Sequence, residues 1–546
     1  MKNAKISFKK LTAVLLAVVL TVGIFSVLPF EVSAAEISQS VGASSGTTGD
    51  CTWTLDDEGN LTISGNGRMA DYTEFDAAWN MPWGKSIKTV TIKSGVKNIG
   101  NYAFCGCSRL KSVVISDSVT QIGSYSFSYT GLTGITIPNS VTIIETLSFE
   151  GCTDLTSIII PDSVKRIEAD AFENTGWYSN QPDGLVYAGK VAYKYKGTMP
   201  QNTTVEIRNG TLGIANRAFY NCTSLSAVTI PDSLKIIGYY SFNRCTGLTS
   251  VAIGSGVTEI CDYAFNGCRG LTSVTIGNGV KYIDSYAFSG CTGLTDVVFG
   301  SKVVSIDHCA FDSCTKLRNF TLPDSLETVG EFAFNKCSTL TNITIPDGVT
   351  SIGTGAFEDC TGLTDVTIGD NVASIGDQAF YSCGKLSSLT IGDNVESIGR
   401  SAFYGCSNLK SVTIPDSVKS IGGSAFVYSG LKSAVVPYSV TEIGKDAFTV
   451  YSGLTIYGYA NTYAQTYAGQ NNIPFTVIGE IIIGDANTDS IIDVRDVTAI
   501  QRHLDEFETF NRFQLVSADT NRDGVVNIED ATLLQMYLAE FDVSFG

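Results

Sequence analysis

A phenylalanine returns through most of this chain at a nearly constant interval. It stands at Phe104, Phe127, Phe149, Phe172, Phe219, Phe242, Phe265, Phe288, Phe311, Phe334, Phe357, Phe380, Phe403, Phe426 and Phe448, in steps of 22 or 23 residues with a single step of 47. A fixed period in this range marks a solenoid, in which each unit lays one coil on the last. The unit LTSVTIGNGVKYIDSYAFSGCTG (271–293) can be read physically. Leu271, Val274 and Ile276 are apolar, and Ser273 and Thr275 between them are small and hydroxylic, which predicts a short strand with one face buried. A turn follows, written GNG here and Pro-Asp-Ser at Pro161, Pro231 and Pro415. Val280 and Ile283 then form a second inward group, and Ala287, Phe288 and Cys291 a third. One such coil has no opposite face to cover these groups, so stacking is obligatory.

The pattern LxxVxI, VxxI, AFxxC resembles the BspA-like (type 5) leucine-rich repeats over roughly residues 85–450. The resemblance implies a mainly-β leucine-rich repeat solenoid of about fifteen coils, each of about 23 residues. It implies little about function, because solenoids carry many unrelated binding surfaces.

Residues 1–35 read as a targeting segment. Lys2, Lys5, Lys9 and Lys10 precede an uncharged apolar run from Leu11 to Phe30, and Val32-Ser33-Ala34 fits a cleavage site. Cleavage would release a secreted protein; the alternative is an uncleaved anchor, since the run is long enough to span a bilayer. The formal charge of −18, from 36 basic and 54 acidic residues, argues against nucleic acid or anionic lipid as a partner.

Residues 36–86 lack the period and are expected to cap the first coil. Ser44–Thr48 reads as a flexible lead, and Cys51–Gly67 as a hairpin turning at Asp-Glu-Gly-Asn. Trp79, Pro82 and Trp83 would lid the coil or, alternatively, stack on carbohydrate. The long step between Phe172 and Phe219 holds an insertion, 173–209, expected to replace a coil and add a hairpin flap. Its aromatics, Trp177, Tyr178, Tyr187, Tyr193 and Tyr195, are candidate ligand-stacking residues; the competing reading makes them glue between hairpin and scaffold. Elsewhere the exposed strand positions are small and hydroxyl-rich, as at Ser273/Thr275, Ser388/Thr390 and Ser411/Thr413.

Eleven of the fifteen cysteines stand three residues after a repeat phenylalanine: Cys107, Cys152, Cys222, Cys245, Cys268, Cys291, Cys314, Cys337, Cys360, Cys383 and Cys406. Equivalent positions on stacked coils point their Cβ atoms the same way, whereas a disulfide needs them to converge. Free buried thiols are therefore expected. Cys51, Cys261 and Cys309 are out of phase, and the repeat does not explain them.

The pattern fades after Phe448 into a second expected cap, 451–479, with a short helix near Asn461–Gly469 and a strand near Ile473–Ile478. Residues 480–546 differ in kind. DANTDSIIDVRDVTAIQRHLDEF (485–507) aligns with DTNRDGVVNIEDATLLQMYLAEF (519–541) at an interval of 34 residues. Each copy opens with oxygen-bearing side chains at positions 1, 3, 5, 9 and 12, which with the carbonyl of position 7 make a calcium loop. The first would use Asp485, Asn487, Asp489, the Ile491 carbonyl, Asp493 and Asp496; the second Asp519, Asn521, Asp523, the Val525 carbonyl, Asn527 and Asp530. Position 12 is Asp rather than Glu, and a helix is expected after each loop but not before it. Ser490 replaces the glycine favoured at position 6, where Gly524 stands in the second copy, so the first site is expected to be the weaker.

This duplication resembles a type I dockerin, a small all-α module. The resemblance implies two Ca²⁺ ions and, as partner, a cohesin of a scaffolding protein in a cellulosome-type, polysaccharide-degrading assembly. Positions 10, 11, 17 and 18 contact the cohesin in that family. Here these are Val494, Arg495, Gln501 and Arg502 in the first copy, and Ile528, Glu529, Gln535 and Met536 in the second. The expected protein is a secreted, non-catalytic binding protein whose array meets a protein or glycan. The alternatives are a cell-surface adhesin anchored through the module, and a polysaccharide-degrading enzyme of unrecognised type. Only two histidines, His308 and His503, are available for acid–base chemistry, and no GxSxG, HExxH or phosphate-binding glycine loop occurs.

Overall fold

The computed structural model describes residues 44–73, 86–318, 320–448, 453–510 and 512–545. The targeting segment and Trp79, Pro82 and Trp83 lie outside them. The chain is a mainly-β solenoid of about 17 turns, followed by a helical module. Strands of the two caps and of the insertion join the coils that the phenylalanines count.

Most coils contribute a strand of three to five residues and, after a turn, one of two residues. Ser273–Ile276 pairs in parallel with Ser250–Ile253 and Asp296–Val298, and Tyr282–Ile283 pairs with Glu259–Ile260 and Ser305–Ile306. The register is that of the repeat, so Val251, Val274 and Val297 lie over one another. The third side is also bonded rung to rung. Alternate amides of Tyr286, Phe288 and Gly290 donate to the carbonyls of His308, Ala310 and Asp312 at 2.7–2.9 Å. Left-handed backbone at Tyr286 (φ 59°) and Gly290 (φ 69°) turns these amides toward the next coil.

Inside, the phenylalanine rings form a column with centroids 4.9–5.4 Å apart from Phe219 to Phe448. A second segment runs from Phe104 to Phe172. Beside the rings lie the in-phase cysteines, all free and all buried except the half-buried Cys222. From Cys245 to Cys406 each thiol donates to the phenylalanine carbonyl of the preceding coil, at 3.0–3.4 Å. Where the cysteine is missing a small hydroxyl fills the place, as with Thr130, 3.1 Å from Cys152 Sγ, and Thr175.

From Gly213–Ile214 onward the two-residue strands make one 13-stranded sheet with the inserted hairpin at its head, and those before the insertion belong to a separate five-stranded sheet. The longer strands break into separate sheets, once after Asp296–Val298. There Phe299 takes an isoleucine position of the repeat and Phe320 a valine position. Their rings pack at 5.6 Å from each other and at 5.6 and 5.0 Å from Phe311 and Phe334. Among the described residues, 317–318 and 320–322 form no strand.

Four expectations are corrected. Ser44–Thr48 is no flexible lead but a strand antiparallel to Cys51–Leu55. Gly46 permits it, because a Cβ there would stand 2.8 Å from the Trp53 ring. The insertion is no flap off the scaffold, since its second strand, Val191–Lys196, pairs with Gly213–Ile214 inside the sheet. The longer-strand face is not uniformly small: Val114, Ile159 and Val298 are exposed on it. A helix, Arg512–Ala518, does precede the second calcium loop, whereas the strand Phe475–Glu480 precedes the first.

Candidate functional site: two calcium loops and a docking face

In the carboxy-terminal module, helices Val494–Leu504 and Ile528–Leu538 pack over a small core of Ala486, Val497, Ile500, Phe510, Ala518, Ala531 and Leu534. Each helix begins in a capping box, Asp493 with Asp496 and Asn527 with Asp530. The N-cap and N3 side chains are also positions 9 and 12 of the loop, so one pair of residues starts the helix and closes the ion site.

The loops share their contacts at positions 1, 3 and 12. Asp485 Oδ1 accepts from the Asp489 amide at 3.0 Å and Oδ2 from Ser490 at 2.8 Å; Asp519 accepts from Asp523 at 3.1 Å and Gly524 at 2.9 Å. Asn487 and Asn521 each accept from the position-5 amide at 2.9 Å. Asp496 and Asp530, both fully buried, reach back to the amides of Asn487 and Asn521 at 3.0 and 3.3 Å. Ser490 adopts φ 65° where Gly524 adopts φ 89°, so at position 6 a side chain occupies left-handed backbone in the first loop only; at position 4 both loops do so, at Thr488 and Arg522. The donors are carboxylate, amide and carbonyl oxygens, with no nitrogen or sulfur ligand. That set fits a hard cation of the calcium type, which Asp485, Asn487, Asp489, Asp493 and Asp496, and Asp519, Asn521, Asp523, Asn527 and Asp530, would hold with the Ile491 and Val525 carbonyls.

All eight side chains proposed for docking, Val494, Arg495, Gln501, Arg502, Ile528, Glu529, Gln535 and Met536, are exposed. One contact was not legible in the sequence. Arg495 lies across the first loop, 3.0 Å from Asp489 and 2.7 Å from Asp493. Glu529 in the second copy cannot do this. Thr520 was also missed; it is buried and bonds Asp530 through its amide at 2.8 Å and its hydroxyl, where the first copy has Ala486.

The insertion aromatics face inward. Tyr193 is 1 % exposed and Tyr178 9 %, which corrects their candidacy for ligand stacking, because a buried ring offers no face. Trp177, Tyr187 and Tyr195 are half-buried against the core. Trp177 and Tyr193 pack on Phe172 at 5.3 and 5.4 Å, and Tyr195 on Phe219 at 6.4 Å, bridging the break in the phenylalanine column.

The family model of the BspA type leucine rich repeat region, in 6 copies, matches residues 83–186, 212–341 and 327–455, well over half of the chain. The chain belongs to the BspA-type leucine-rich repeat family. The unmatched residues between the first two blocks, 187–211, include the second strand of the inserted hairpin. A dockerin type I domain model matches residues 483–539. The array and the module together are built for protein–protein interaction and for attachment to a cohesin. Among solved structures, a leucine-rich repeat protein from Bacteroides ovatus is 24% identical, with 79% of this chain and 98% of that one covered and a TM-score of 0.43. One from Eubacterium ventriosum is 23% identical, with 71% and 95% covered and a TM-score of 0.34. A leucine rich cell surface protein from Faecalibacterium prausnitzii is 25% identical, with 78% and 97% covered and a TM-score of 0.30. No curated protein matches the chain. No helix among the described residues is long and apolar enough to cross a membrane.

Proposed function

We propose that this chain is a secreted, non-catalytic binding protein, held by its carboxy-terminal module to a cohesin of a cellulosome-type scaffold while its repeat array presents a surface to a protein or glycan. The working division is a cleaved signal (1–35), a cap (36–86), the array (87–450), a second cap (451–479) and the dockerin (480–546). The observation that carries this reading is the pair of loops with matching contacts at positions 1, 3 and 12, each opening a helix whose docking positions are exposed. Two bound calcium ions supply the positive charge that lets each set of oxygens converge without mutual repulsion.

The test is cohesin capture by the full-length protein with calcium and with chelator. Capture is expected only with calcium. Asp523→Ala should weaken it more than Asp489→Ala, because Ser490 already burdens the first loop; capture that persists in chelator refutes the proposal. The two docking faces differ in charge, Arg495 standing where the second copy has Glu529. A cation exchanged for an anion at an interface costs affinity through like-charge contact and lost pairing. One orientation of binding is therefore expected. Charge reversal at Arg495 and at Glu529, made separately, should weaken capture at one position only. Equal tolerance of both would revive a two-way mode.

A further inference from the structure

The left-handed position two residues before the repeat phenylalanine carries aromatic side chains in several successive coils. Tyr240, Tyr263 and Tyr286 stack there at 4.7 and 4.6 Å, nearly parallel. The next coil breaks the column with Cys309, and the coil after it resumes with Phe332. The missing ring leaves room, and His308 of the same coil leans into it, edge-on to Tyr286 at 5.1 Å and to Phe332 at 6.0 Å. His308 is the array's only histidine, and Cys309 is one of the cysteines outside the repeat phase.

Three ligand-type atoms converge as a result. His308 Nε2 is 2.9 Å from Tyr286 Oη and 3.4 Å from Cys309 Sγ. On the far side of the imidazole, Nδ1 faces Glu331 Oε2 at 3.7 Å. We propose that Cys309, His308 and Tyr286 form a binding site for a borderline-soft divalent transition-metal ion of the zinc type, with Glu331 as a positioning residue behind the imidazole. Zinc–sulfur and zinc–nitrogen bonds of about 2.3 and 2.05 Å at a tetrahedral angle place the two ligand atoms about 3.5 Å apart. The observed sulfur–nitrogen separation already meets that requirement. At 3.7 Å the Glu331 carboxylate lies beyond hydrogen-bond reach of Nδ1, and its negative charge behind the ring favours a bound cation. Cys309 is nearly buried, and the His308 side chain is 38% exposed, which leaves a fourth position open to water. Asp312 and Glu331 add negative charge around the thiol. On binding, the metal–sulfur and metal–oxygen bonds replace the Cys309 S–H and Tyr286 O–H bonds and both protons leave to solvent; no electrons are transferred.

Among the described residues a competing cluster lies nearby, Glu259, Cys261 and Asp284, with ligand atoms within 4.8 Å of one another. The experiment separates the two. Full-length protein with calcium in excess, so that the oxygen loops are filled, is titrated anaerobically with Co²⁺. Only thiolate ligation gives a near-ultraviolet sulfur-to-cobalt charge-transfer band, and tetrahedral geometry gives intense visible bands. One equivalent of each is expected, displaced by Zn²⁺, lost in Cys309→Ser and in His308→Arg, and kept in Cys261→Ser. Glu331→Gln should weaken binding roughly 10-fold. Both substitutions copy other coils, which carry Ser401, Ser424 and Arg400 at the same places, so the fold accommodates them. Absence of the bands in the native chain overturns the proposal and leaves His308 as a space-filler. Bands surviving in both variants, or lost only in Cys261→Ser, overturn it in favour of other thiols.

Discussion

Two tyrosine hydroxyls do the same work at the two places where the phenylalanine column stops. Within the column each phenylalanine amide donates to the next coil, as Phe149 does to Ala171 at 2.8 Å. Phe172 meets the inserted hairpin and Phe448 the terminal cap, and neither has a coil in register to accept its amide. Tyr193 Oη takes the first at 2.9 Å and Tyr467 Oη the second at 3.1 Å, from rings packed edge-on. Burial pushes both phenols above their ordinary value, so they stay protonated and neutral. Removing either hydroxyl leaves a buried amide without a partner, which costs about 1–3 kcal/mol. Tyr193→Phe and Tyr467→Phe should each lower the unfolding free energy by that amount, read as a lower denaturant midpoint at unchanged slope. Tyr463→Phe, on the exposed side of the same cap helix, should change nothing. A loss no larger than in that control would show that the amide finds another acceptor.

At the scale of an element, the first calcium loop shows how a side chain chosen for one task intrudes on another. The Arg495 guanidinium bridges Asp489 and Asp493, two of the proposed ligands, and these contacts compete with a cation for the same oxygens. Arg495→Ala should therefore tighten calcium binding at the first loop, while Glu529→Ala should loosen it slightly at the second by removing a nearby negative charge. Isothermal titration of the full chain would read both, and an unchanged or weaker first site in Arg495→Ala would refute the competition. The helix before the second loop illustrates a different limit. Seven residues, Arg512–Ala518, are too few for the periodicity of RFQLVSA to show an amphipathic pattern, and their helicity depends on packing Leu515 and Ala518 into the module core.

Across the whole array, the thiol column links stability to pH. Burial raises the thiols of Cys314, Cys337, Cys360 and Cys383 well above their ordinary value, and that of Cys406 to about 12. In the unfolded chain they titrate near about 8.5. Above that pH the unfolded state binds fewer protons than the folded one, so stability falls as pH rises, by about 1.4 kcal/mol per pH unit for each thiol held protonated. The array should be fully stable below pH 8 and lose stability steeply toward pH 10. A Cys360→Ala/Cys383→Ala double variant should be less stable at pH 7.5 but show a shallower alkaline decline, and parallel declines would refute the linkage. Thiol counting on denatured, never-reduced protein should likewise find the in-phase cysteines free.

The period by itself determined the stacking, the in-register valines and isoleucines, and the free thiols, because a translation by one coil carries every side chain onto its equivalent. The calcium ligands were legible for a similar reason: each set lies within twelve consecutive residues and its spacing is local. Tertiary structure alone decided what happens where the repeat is broken. Nothing in the spelling of Phe299 and Phe320 says that their rings, 21 residues apart, would meet. Nor does the hairpin sequence show Tyr193 turning inward to replace a missing coil. His308, Cys309, Tyr286 and Glu331 look like unrelated substitutions in three successive repeats until stacking sets those coils one over another. The physical reason is the same in each case. A substitution in one coil is answered by side chains one period away, and that answer depends on the volume, direction and hydrogen-bonding capacity of neighbours that the local sequence does not contain.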